Sequence, residues 1–433
     1  MREYDIVLFG ATGFTGKLVA EYLLKTYGQG RGLRWAIAGR NAKKLAHLAA
    51  ELGAPELPVL VADSADPEAL ASLVASTRVV CTTVGPYALY GSELVAACAA
   101  SGTHYCDLTG EVHWMKEMIA QHEATAIASG ARIVHTCGFD SIPSDLGTLF
   151  LQQAMLAEHG VPAQEIKLRV NRFSGAFSGG TVASMINMLE QAGKDKRLRK
   201  IMADPYSLTP SGAARGPDRN DQTRAVYDYH FGRWTLPFVM AAINTRVVRR
   251  SNALLGFPYG EDFAYSEAML APKRQGAVAS KMSALAMTAG TASLAIAPLR
   301  AVAKKFLPAP GEGPNAEQRE KGFFDIYLYG LHPDDGDKDM IARVTGDRDP
   351  GYGSTSKMLG EAAVCLAMDD LDCDGGFWTP ASAMGETLVK RLEESAGLTF
   401  TPVSYTHLRA HETSSMIAYA VFCVKSGGGG GGG

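Results

Sequence analysis

The chain has little of what marks several common classes of protein. Its net charge is only −3, so no excess of positive charge indicates a nucleic acid partner. Its seven cysteines have no metal-type spacing, and four lie in or beside apolar runs, as buried free thiols do in a reducing cytoplasm: Cys81, Cys98, Cys106 and Cys137. No basic segment followed by an apolar run stands at the start, so no secretory signal is expected. The sequence predicts a cytoplasmic protein with no nucleic acid partner and no metal site.

Long uncharged runs are scarce, and one exception needs its own interpretation. Residues 282–299 carry no charge and are flanked by Lys281 and Arg300, at the lower edge of the length that spans a bilayer. The run is rich in small residues and is interrupted by a proline, which makes a spanning helix the least favoured interpretation. A buried or self-associating helix, consistent with a homodimer, is favoured. A helix on a membrane surface, with Lys304-Lys305 nearby, is the third interpretation.

The bulk composition is that of a well-buried globular protein. Hydrophobic residues make up 46% of the chain and charged residues 20%, which argues against disorder. A chain of 433 residues is too long for one ordinary core. The sequence therefore predicts two domains.

What the sequence does contain is a glycine-rich turn between a strand pattern and a helix pattern. The apolar run Tyr4–Phe9 is followed by Gly10, Gly13 and Gly16 in G-x-x-G-x-x-G spacing, and a helical pattern runs on to about Tyr27. Such glycines permit a tight turn, a close approach of backbone N–H groups to a pyrophosphate, and close packing of the helix on the strand. The predicted cofactor-binding residues of this turn are Gly10, Thr12, Gly13, Phe14, Thr15 and Gly16.

The second and third predicted strands end at residues that bear on the choice of dinucleotide. Arg40 and Asn41 follow Arg34–Gly39, where NAD enzymes usually carry an acidic residue for the ribose hydroxyls and an arginine suits the 2′-phosphate of NADP. A solvated arginine that opens the next helix is the alternative. Asp63 follows Leu57–Ala62 and could approach the adenine, although a local helix cap would explain this sequence equally well. NADP is the predicted cofactor.

Three further strand patterns end in loops that are expected to face the same ligand. Arg78–Val84, Thr103–Leu108 and Ala131–Cys137 precede the loops that begin at residues 85, 109 and 138. Alternating strands and helices at this pitch predict an α/β fold with a Rossmann-type doubly wound parallel sheet. In such a sheet the loops after the strands meet at the carboxyl edge, where ligands bind.

These loops supply the candidate catalytic residues. Hydride transfer requires a nicotinamide held close to the acceptor carbon, together with a proton from water or a polar residue. Gly85 and Pro86 are predicted to line the nicotinamide half of the cofactor site. Asp140 is the best catalytic candidate and Tyr87 the second, although carboxylates in such loops also cap helices and brace turns. The sequence contains no Tyr-x-x-x-Lys pair of the short-chain dehydrogenase type at the expected place.

The motifs GATGFTG, AGRN, VGPY, DLTGE and CGFDSIPSD, in this order, resemble the saccharopine dehydrogenase-like oxidoreductases. The most similar subgroup is that of the trans-acting enoyl reductases, and the resemblance covers roughly residues 3–401. It implies an NADP-binding Rossmann domain followed by an inserted α+β domain. It also implies that the turn at Thr181 and the helix at Ser184 lie near the cofactor cleft, although a helix cap would explain Thr181 equally well.

Four segments follow from these patterns. Residues 1–150 are predicted as the NADP-binding domain and 151–349 as an inserted α+β domain for substrate or oligomerisation. The inserted part contains a strand at Ile166–Phe173 and a strand pair at Phe323–His332 and Asp339–Thr345. Residues 350–401 are predicted as helices that return to the first domain and end in one helix, Thr379–Ser395, capped by Thr379.

Residues 402–433 are predicted to be a non-native tail. They contain SYTHLRAHET, which resembles a conceptual translation of adapter DNA, and seven terminal glycines. His407 and His411 stand four residues apart beside Glu412, but no third ligand is within sequence reach. The tail is therefore left out of the predicted fold and function.

Three functions remain open on the sequence. Resemblance to the enoyl reductases implies NADPH-dependent reduction of a carbon–carbon double bond in an acyl thioester held on a carrier, and the uncharged aromatic stretches favour an apolar substrate. A saccharopine-type oxidoreductase acting on a C–N bond would need basic residues for several carboxylates. The second domain offers five for that purpose: Arg169, Arg172, Arg246, Arg249 and Arg250. A nucleotide-binding scaffold without turnover is the third interpretation.

Overall fold

Two seven-stranded sheets form the centre of the protein. The computed structural model describes residues 2–30, 32–175, 179–294, 296, 298 and 313–403, without the side chains of residues 179–183, 185 and 189. The predicted tail from residue 404 onward and the pair Lys304-Lys305 lie outside these residues. Each sheet contains strands from early and late parts of the chain, so the two sheets are joined by several crossings.

The first sheet is parallel throughout and has the order β13-β6-β5-β4-β1-β2-β3. Its strands are β1 (Tyr4–Phe9), β2 (Trp35–Gly39), β3 (Val59–Val61), β4 (Thr77–Thr82), β5 (His104–Cys106), β6 (Arg132–Val134) and β13 (Gly376–Trp378). The helices between them are α1 (Phe14–Tyr27), α2 (Ala42–Glu51), α3 (Pro67–Ser76), α4 (Tyr87–Tyr90), α5 (Ser92–Ser101) and α6 (Val112–Ser129). The order 3-2-1-4-5-6 is that of doubly wound dinucleotide-binding sheets. The predicted fold class is confirmed.

The second sheet is mixed, in the order β14-β12-β11-β7-β10-β9-β8, and β7 with β10 is its parallel pair. Its strands are β7 (Glu165–Ser174), β8 (Val226–Asp228), β9 (Arg233–Leu236), β10 (Ala264–Leu270), β11 (Phe323–Leu331), β12 (Met340–Gly346) and β14 (Leu398–Val403). Its helices are α8 (Gly179–Lys194), α9 (Lys196–Ala203), α10 (Ala241–Leu254), α11 (Ala277–Ser293) and α12 (Ala316–Lys321). The predicted strand pair is confirmed as β11 and β12, which run antiparallel.

Helix α7 (Ile142–His159) lies between the two sheets. Eleven of its 18 residues are buried, so it has neighbours on most of its circumference. A Cβ on Gly147 would lie 3.1 Å from Cγ2 of Val344 and 3.2 Å from Cδ1 of Leu328, so glycine lets the second sheet approach this helix closely. The predicted boundary after residue 150 therefore falls inside a single helix that both sheets share.

The last part of the described chain contributes to both sheets. It contains α13 (Thr355–Met368), α14 (Pro380–Ala383) and α15 (Gly385–Ser395) in addition to β13 and β14. The prediction of returning helices alone was therefore incomplete. The prediction of a single helix Thr379–Ser395 was wrong, because α14 ends before Met384 and α15 begins at Gly385, which has φ +46°. Thr379 does cap α14, as predicted.

The predicted start of the tail at residue 402 needs a correction. Pro402 and Val403 belong to β14 and pair with Ala342 and Ile341 of β12. The strand is held by long-range hydrogen bonding to β12, which no local pattern in the sequence indicates. The predicted tail can begin only after Val403.

Candidate active site

The glycine turn has the geometry of an anion-binding cradle. Gly10 has φ +88°, and a Cβ there would lie 2.6 Å from Cγ2 of Val84. A Cβ on Gly16 would lie 2.2 Å from the carbonyl oxygen of Gly10, so only glycine lets α1 pack this close to the turn. Gly13 precedes α1, and no side chain caps the helix there. The positive end of α1 is therefore left without a side-chain cap, as expected at a site for a pyrophosphate.

The other predicted cofactor residues lie at the same carboxyl edge of the sheet. Arg40 is exposed at the end of β2, where the 2′-phosphate of NADP would be read. The Asn41 side chain accepts a hydrogen bond from the Lys44 amide at 3.0 Å and caps α2. Asp63 is exposed after β3, and its carboxylate accepts from the Ala65 amide at 3.0 Å. Arg40 therefore stays the candidate for the phosphate, while Asn41 and Asp63 brace local turns.

The loop after β4 is held by hydrogen bonds to a buried carboxylate. The backbone amides of Tyr87 and Ala88 donate to the two carboxylate oxygens of Glu111 at 2.8 and 3.0 Å. Burial raises the pKa of Glu111 above its usual range, while these bonds oppose the shift. Gly85 is exposed and Pro86 half-buried at the start of this loop. Glu111 therefore orients the two residues predicted to line the nicotinamide.

Tyr87 is buried, and its hydroxyl is engaged within the fold. The hydroxyl donates to the carbonyl of Thr82 at 3.2 Å and accepts from the amide of Leu108 at 3.4 Å. Burial raises its pKa well above the usual range. This geometry favours a structural role, in which Tyr87 joins the loops after β4 and β5.

Asp107 and His135 organise the loops after β5 and β6, a pairing that sequence reasoning missed. The Asp107 carboxylate lies 2.7 Å from Nδ1 of His135 and accepts from the amides of Thr109 and Thr136, both at 3.1 Å. Thr136 has φ +61°, which is strained for a threonine and is held by these bonds. The signal in the sequence was weak, because Asp107 and His135 stand in separate strand patterns.

Asp140 lies in the loop after β6 and has an unusual environment. Its Oδ1 atom is shielded from solvent and has no hydrogen-bond partner among the residues that the structure describes. Burial, and next the negative charge of Glu267, raise the pKa of Asp140 to about 7. A carboxyl group in this state can hold or release a proton near neutral pH.

Glu267 of β10 is the second carboxyl group at this site, and sequence reasoning did not identify it. Its carboxylate accepts from the Tyr265 hydroxyl at 2.7 Å and from the Asn244 amide group at 2.9 Å. Ser144, in the first turn of α7, also hydrogen-bonds to it, which places Glu267 beside the loop of Asp140. Burial raises the pKa of Glu267 to about 7. A charged residue inside the apolar strand AYSEAML was the only sequence signal.

Helix α8 brings the second sheet's part of the chain to the cofactor loops. The Ser184 hydroxyl lies 3.8 Å from where a Cβ on Gly85 would stand, and it hydrogen-bonds to Glu111. The side chain of Thr181 lies outside the described residues. Among those residues, no group of three or more His, Cys, Asp or Glu side chains could hold a metal ion.

A parallel sheet of this order, a glycine cradle at a helix N-terminus and converging loops define a protein of the dinucleotide-binding class. Residues 6–134 match the family model of the saccharopine dehydrogenase NADP binding domain.

Relatives of known name cover nearly the whole chain. The trans-acting enoyl reductase of Mycobacterium leprae (strain TN) is 38% identical over 420 residues, which span 92% of this chain and 97% of the relative. A protein of Mycobacterium tuberculosis (strain ATCC 25618 / H37Rv) is 43% identical over 410 residues, 90% of this chain and 96% of the relative, and its name makes the same assignment provisionally. The chain therefore belongs to the trans-acting enoyl reductase family and is an NADP-dependent oxidoreductase of the saccharopine dehydrogenase type.

A solved structure of low sequence identity has a similar fold. The apo saccharopine dehydrogenase (L-Glu forming) of Saccharomyces cerevisiae aligns with a TM-score of 0.51 at 12% identity. The alignment covers 93% of this chain and all of the yeast chain. At this identity the likeness shows the shared fold alone.

Proposed function

We propose that this protein reduces the double bond of an α,β-unsaturated acyl thioester that is held on a carrier. The names of the relatives support this reaction, and an NADPH bound at the cradle supplies the hydride for the β-carbon. The observation that carries the proposal is the carboxyl group of Asp140, which lies after β6 at the same edge of the sheet as the glycine cradle and whose shielded Oδ1 atom has no hydrogen-bond partner among the described residues. Asp140 would be the catalytic acid of the reaction.

The reaction makes a modest demand on the protein. The thioester carbonyl already polarises the double bond, so the protein must position the acyl chain, stabilise negative charge on the thioester oxygen and deliver a proton to the α-carbon. A carboxyl group with a pKa of about 7 is well matched to proton delivery at neutral pH. Asp140 would donate that proton and be recharged from solvent after product release.

The saccharopine-type alternative is disfavoured, because the arginines that would have bound the substrate's carboxylates have partners within the protein. Arg169 pairs with Asp228 at 2.7 Å, Arg249 with Asp218 at 2.8 Å, and Arg246 with Asp221. The Arg250 guanidinium donates to the carbonyls of Leu208 and Phe377 at 2.6 and 2.7 Å. Four of the five candidate arginines are thus engaged within the fold, which leaves few cations for a substrate with several carboxylates.

The test follows NADPH absorbance while the protein is incubated with medium- and long-chain enoyl thioesters. Turnover is expected for the wild type, and Asp140→Asn should lower kcat by about 10²–10⁴-fold with little change in NADPH affinity. Turnover of saccharopine or another amino-acid adduct, with none on any enoyl thioester, would favour the alternative. NADPH binding without turnover on either class would leave a nucleotide-binding scaffold.

Two further properties complete the proposal. A cytoplasmic location is supported by the cysteines, because the six within the described residues are all free and buried. The run 282–299 lies partly in α11, whose exposed face speaks against a helix buried within the chain and is available to a membrane surface or to a second copy. Analytical ultracentrifugation of the purified chain decides between a monomer and a homodimer.

A further inference from the structure

Helix α11 (Ala277–Ser293) is attached to the edge of the second sheet by a narrow face. Of its 17 residues, only Ser280 and Ala284 are buried. The helix packs on β9, and Ala284 clusters with Leu236 of β9 and with Ala271, which follows β10. The rest of the helix is composed mainly of Ala, Val, Met, Leu, Ser and Thr, with Lys281 as its single charged residue. A helix that faces water on most of its surface normally carries charged side chains there.

The exposed side of α11 carries a continuous apolar stripe. Val278, Met282 and Leu285 are 78%, 60% and 61% exposed. At 3.6 residues per turn they fall within an arc of about 60°, roughly opposite the two buried residues. Large apolar side chains aligned on one helix face indicate a surface that is covered in the working state of the protein.

Exposed and half-exposed aromatic rings lie on the edge of the sheet beside α11. Tyr229 is 87% exposed, and its ring contacts that of Tyr227 at a centroid distance of 5.1 Å. Tyr227 in turn contacts Trp234 at 5.7 Å, and the Lys281 ammonium group lies 5.9 Å from the centroid of the Trp234 ring. Tyrosine, tryptophan and lysine side chains of this kind are enriched where a protein meets the headgroup region of a bilayer.

The segment that carries the stripe has charge of one sign. Residues 268–294 contain no Asp or Glu. The basic residues Lys273, Arg274 and Lys281 are all exposed. An anionic partner is therefore complementary to this surface, and each basic side chain near an anionic bilayer adds to the attraction.

We propose that α11, with Tyr227, Tyr229 and Trp234, is a docking surface for an anionic phospholipid bilayer. The helix lies in the plane of the interface with Val278, Met282 and Leu285 inserted among the acyl chains and the basic side chains among the headgroups. A second copy of the chain fits less well, because an isologous contact would bring the basic residues together with no acidic partner on this segment. Within the described residues, no helix is long and apolar enough to cross a bilayer.

The test is cosedimentation of the full chain with vesicles of phosphatidylcholine, with and without phosphatidylglycerol. The wild type is expected to bind the anionic vesicles more strongly, and to bind less as salt is added. The double variant Met282→Asp/Leu285→Asp should bind at least about tenfold more weakly. Ile127→Asp, at a 56% exposed position on α6, is the matched control and should bind like the wild type. NADPH affinity reports that each variant is folded.

Three results would overturn the proposal. The first is that the wild type shows no preference for anionic vesicles. The second is that the double aspartate variant binds them as well as the control does. The third is that the wild type sediments as a dimer and the double aspartate variant as a monomer, which would assign this face to a second copy. Vesicle binding is measured without an acyl substrate, so its failure is distinguishable from a failure of enoyl reduction.

Discussion

At the scale of single residues, the site depends on two carboxyl groups that arrive from different sheets. Asp140 follows β6 of the first sheet, and Glu267 stands in β10 of the second. Glu267 accepts hydrogen bonds from the neutral donors Tyr265, Asn244 and Ser144. Its charge is therefore not cancelled by a cation, and the charge opposes ionisation of Asp140. We expect Glu267 to act as a positioning residue that keeps Asp140 protonated.

Glu267→Gln tests this coupling through the pH dependence of enoyl reduction. In the proposed reaction the protonated form of Asp140 is the active one, so kcat/KM should fall as pH rises through its pKa of about 7. Without the charge of Glu267, the pKa of Asp140 should drop while its burial still holds it above the ordinary value. The falling limb of the kcat/KM profile should move to lower pH, with a loss of up to about tenfold per pKa unit on the alkaline side. A uniform loss at every pH, with no displacement of the limb, would mean that Glu267 is merely structural.

Arg40→Asp tests the choice of cofactor. Arg40 is exposed at the end of β2, and its replacement should remove a charge-assisted contact with the 2′-phosphate. NADPH binding should weaken by about 1.5–3 kcal/mol, while NADH binding should stay the same or improve. Lys390→Asp, at a side chain that is 76% exposed on α15, controls for the change in net charge. Equal weakening of both cofactors in a titration would show that Arg40 does not read the phosphate.

At the scale of elements, the contact of β1 with α1 decides whether the cradle can form. The helix begins directly after the turn, and Gly16 in its first turn faces the Gly10 carbonyl with no room for a Cβ. A side chain at Gly16 would push the helix away from the strand, and its amides would move with it. Cofactor binding and packing therefore depend on the same short distance.

Gly16→Ala should consequently damage stability and cofactor binding together. We expect a loss of about 1–3 kcal/mol in the free energy of unfolding, as for other overpacked positions, and a clear loss of NADPH affinity. Gly193→Ala in α8 is the matched control, because a Cβ there meets nothing within 4 Å; it should leave NADPH affinity unchanged and should not lower the free energy of unfolding. Denaturant titration and cofactor fluorescence measure the two effects. A Gly16→Ala variant that binds NADPH like the wild type would contradict the close contact.

At the scale of the whole molecule, the two sheets are joined by contacts between segments that are far apart in the sequence. The Asp145 carboxylate in α7 accepts from the Ser251 hydroxyl of α10 and from the Ala381 amide of α14 at 2.8 Å. Burial, opposed by these bonds, raises its pKa to about 6. One buried group therefore connects three distant segments of the chain beside the site.

Truncation tests where the folded chain ends. Deletion of residues 404–433 should leave the melting temperature and NADPH affinity unchanged, because β14 remains intact. Deletion from residue 398 should cost at least about 3 kcal/mol, because it removes the buried side chains of Leu398 and Phe400 together with a whole strand. Thermal melts of the three chain lengths measure this. A fall of several degrees after the shorter deletion would show that the tail packs on the fold.

The sequence by itself determined the features whose causes are local. The glycine spacing from Gly10 to Gly16, the strand before it and the helix after it predicted the cradle. The alternation of strands and helices predicted the parallel sheet. Arg40 and Asp140 could be selected because residues at the carboxyl ends of parallel strands share one edge. These conclusions needed only backbone conformation and near neighbours.

Only the tertiary structure decided what depends on contacts between distant segments. It placed Glu267 beside Asp140, paired Asp107 with His135, and engaged the arginines of the second sheet in ion pairs. It also assigned β13 to the first sheet and Pro402 and Val403 to the second. The packing of the whole chain determines which groups lie beside a buried charge or an edge strand, and a local sequence pattern does not indicate them.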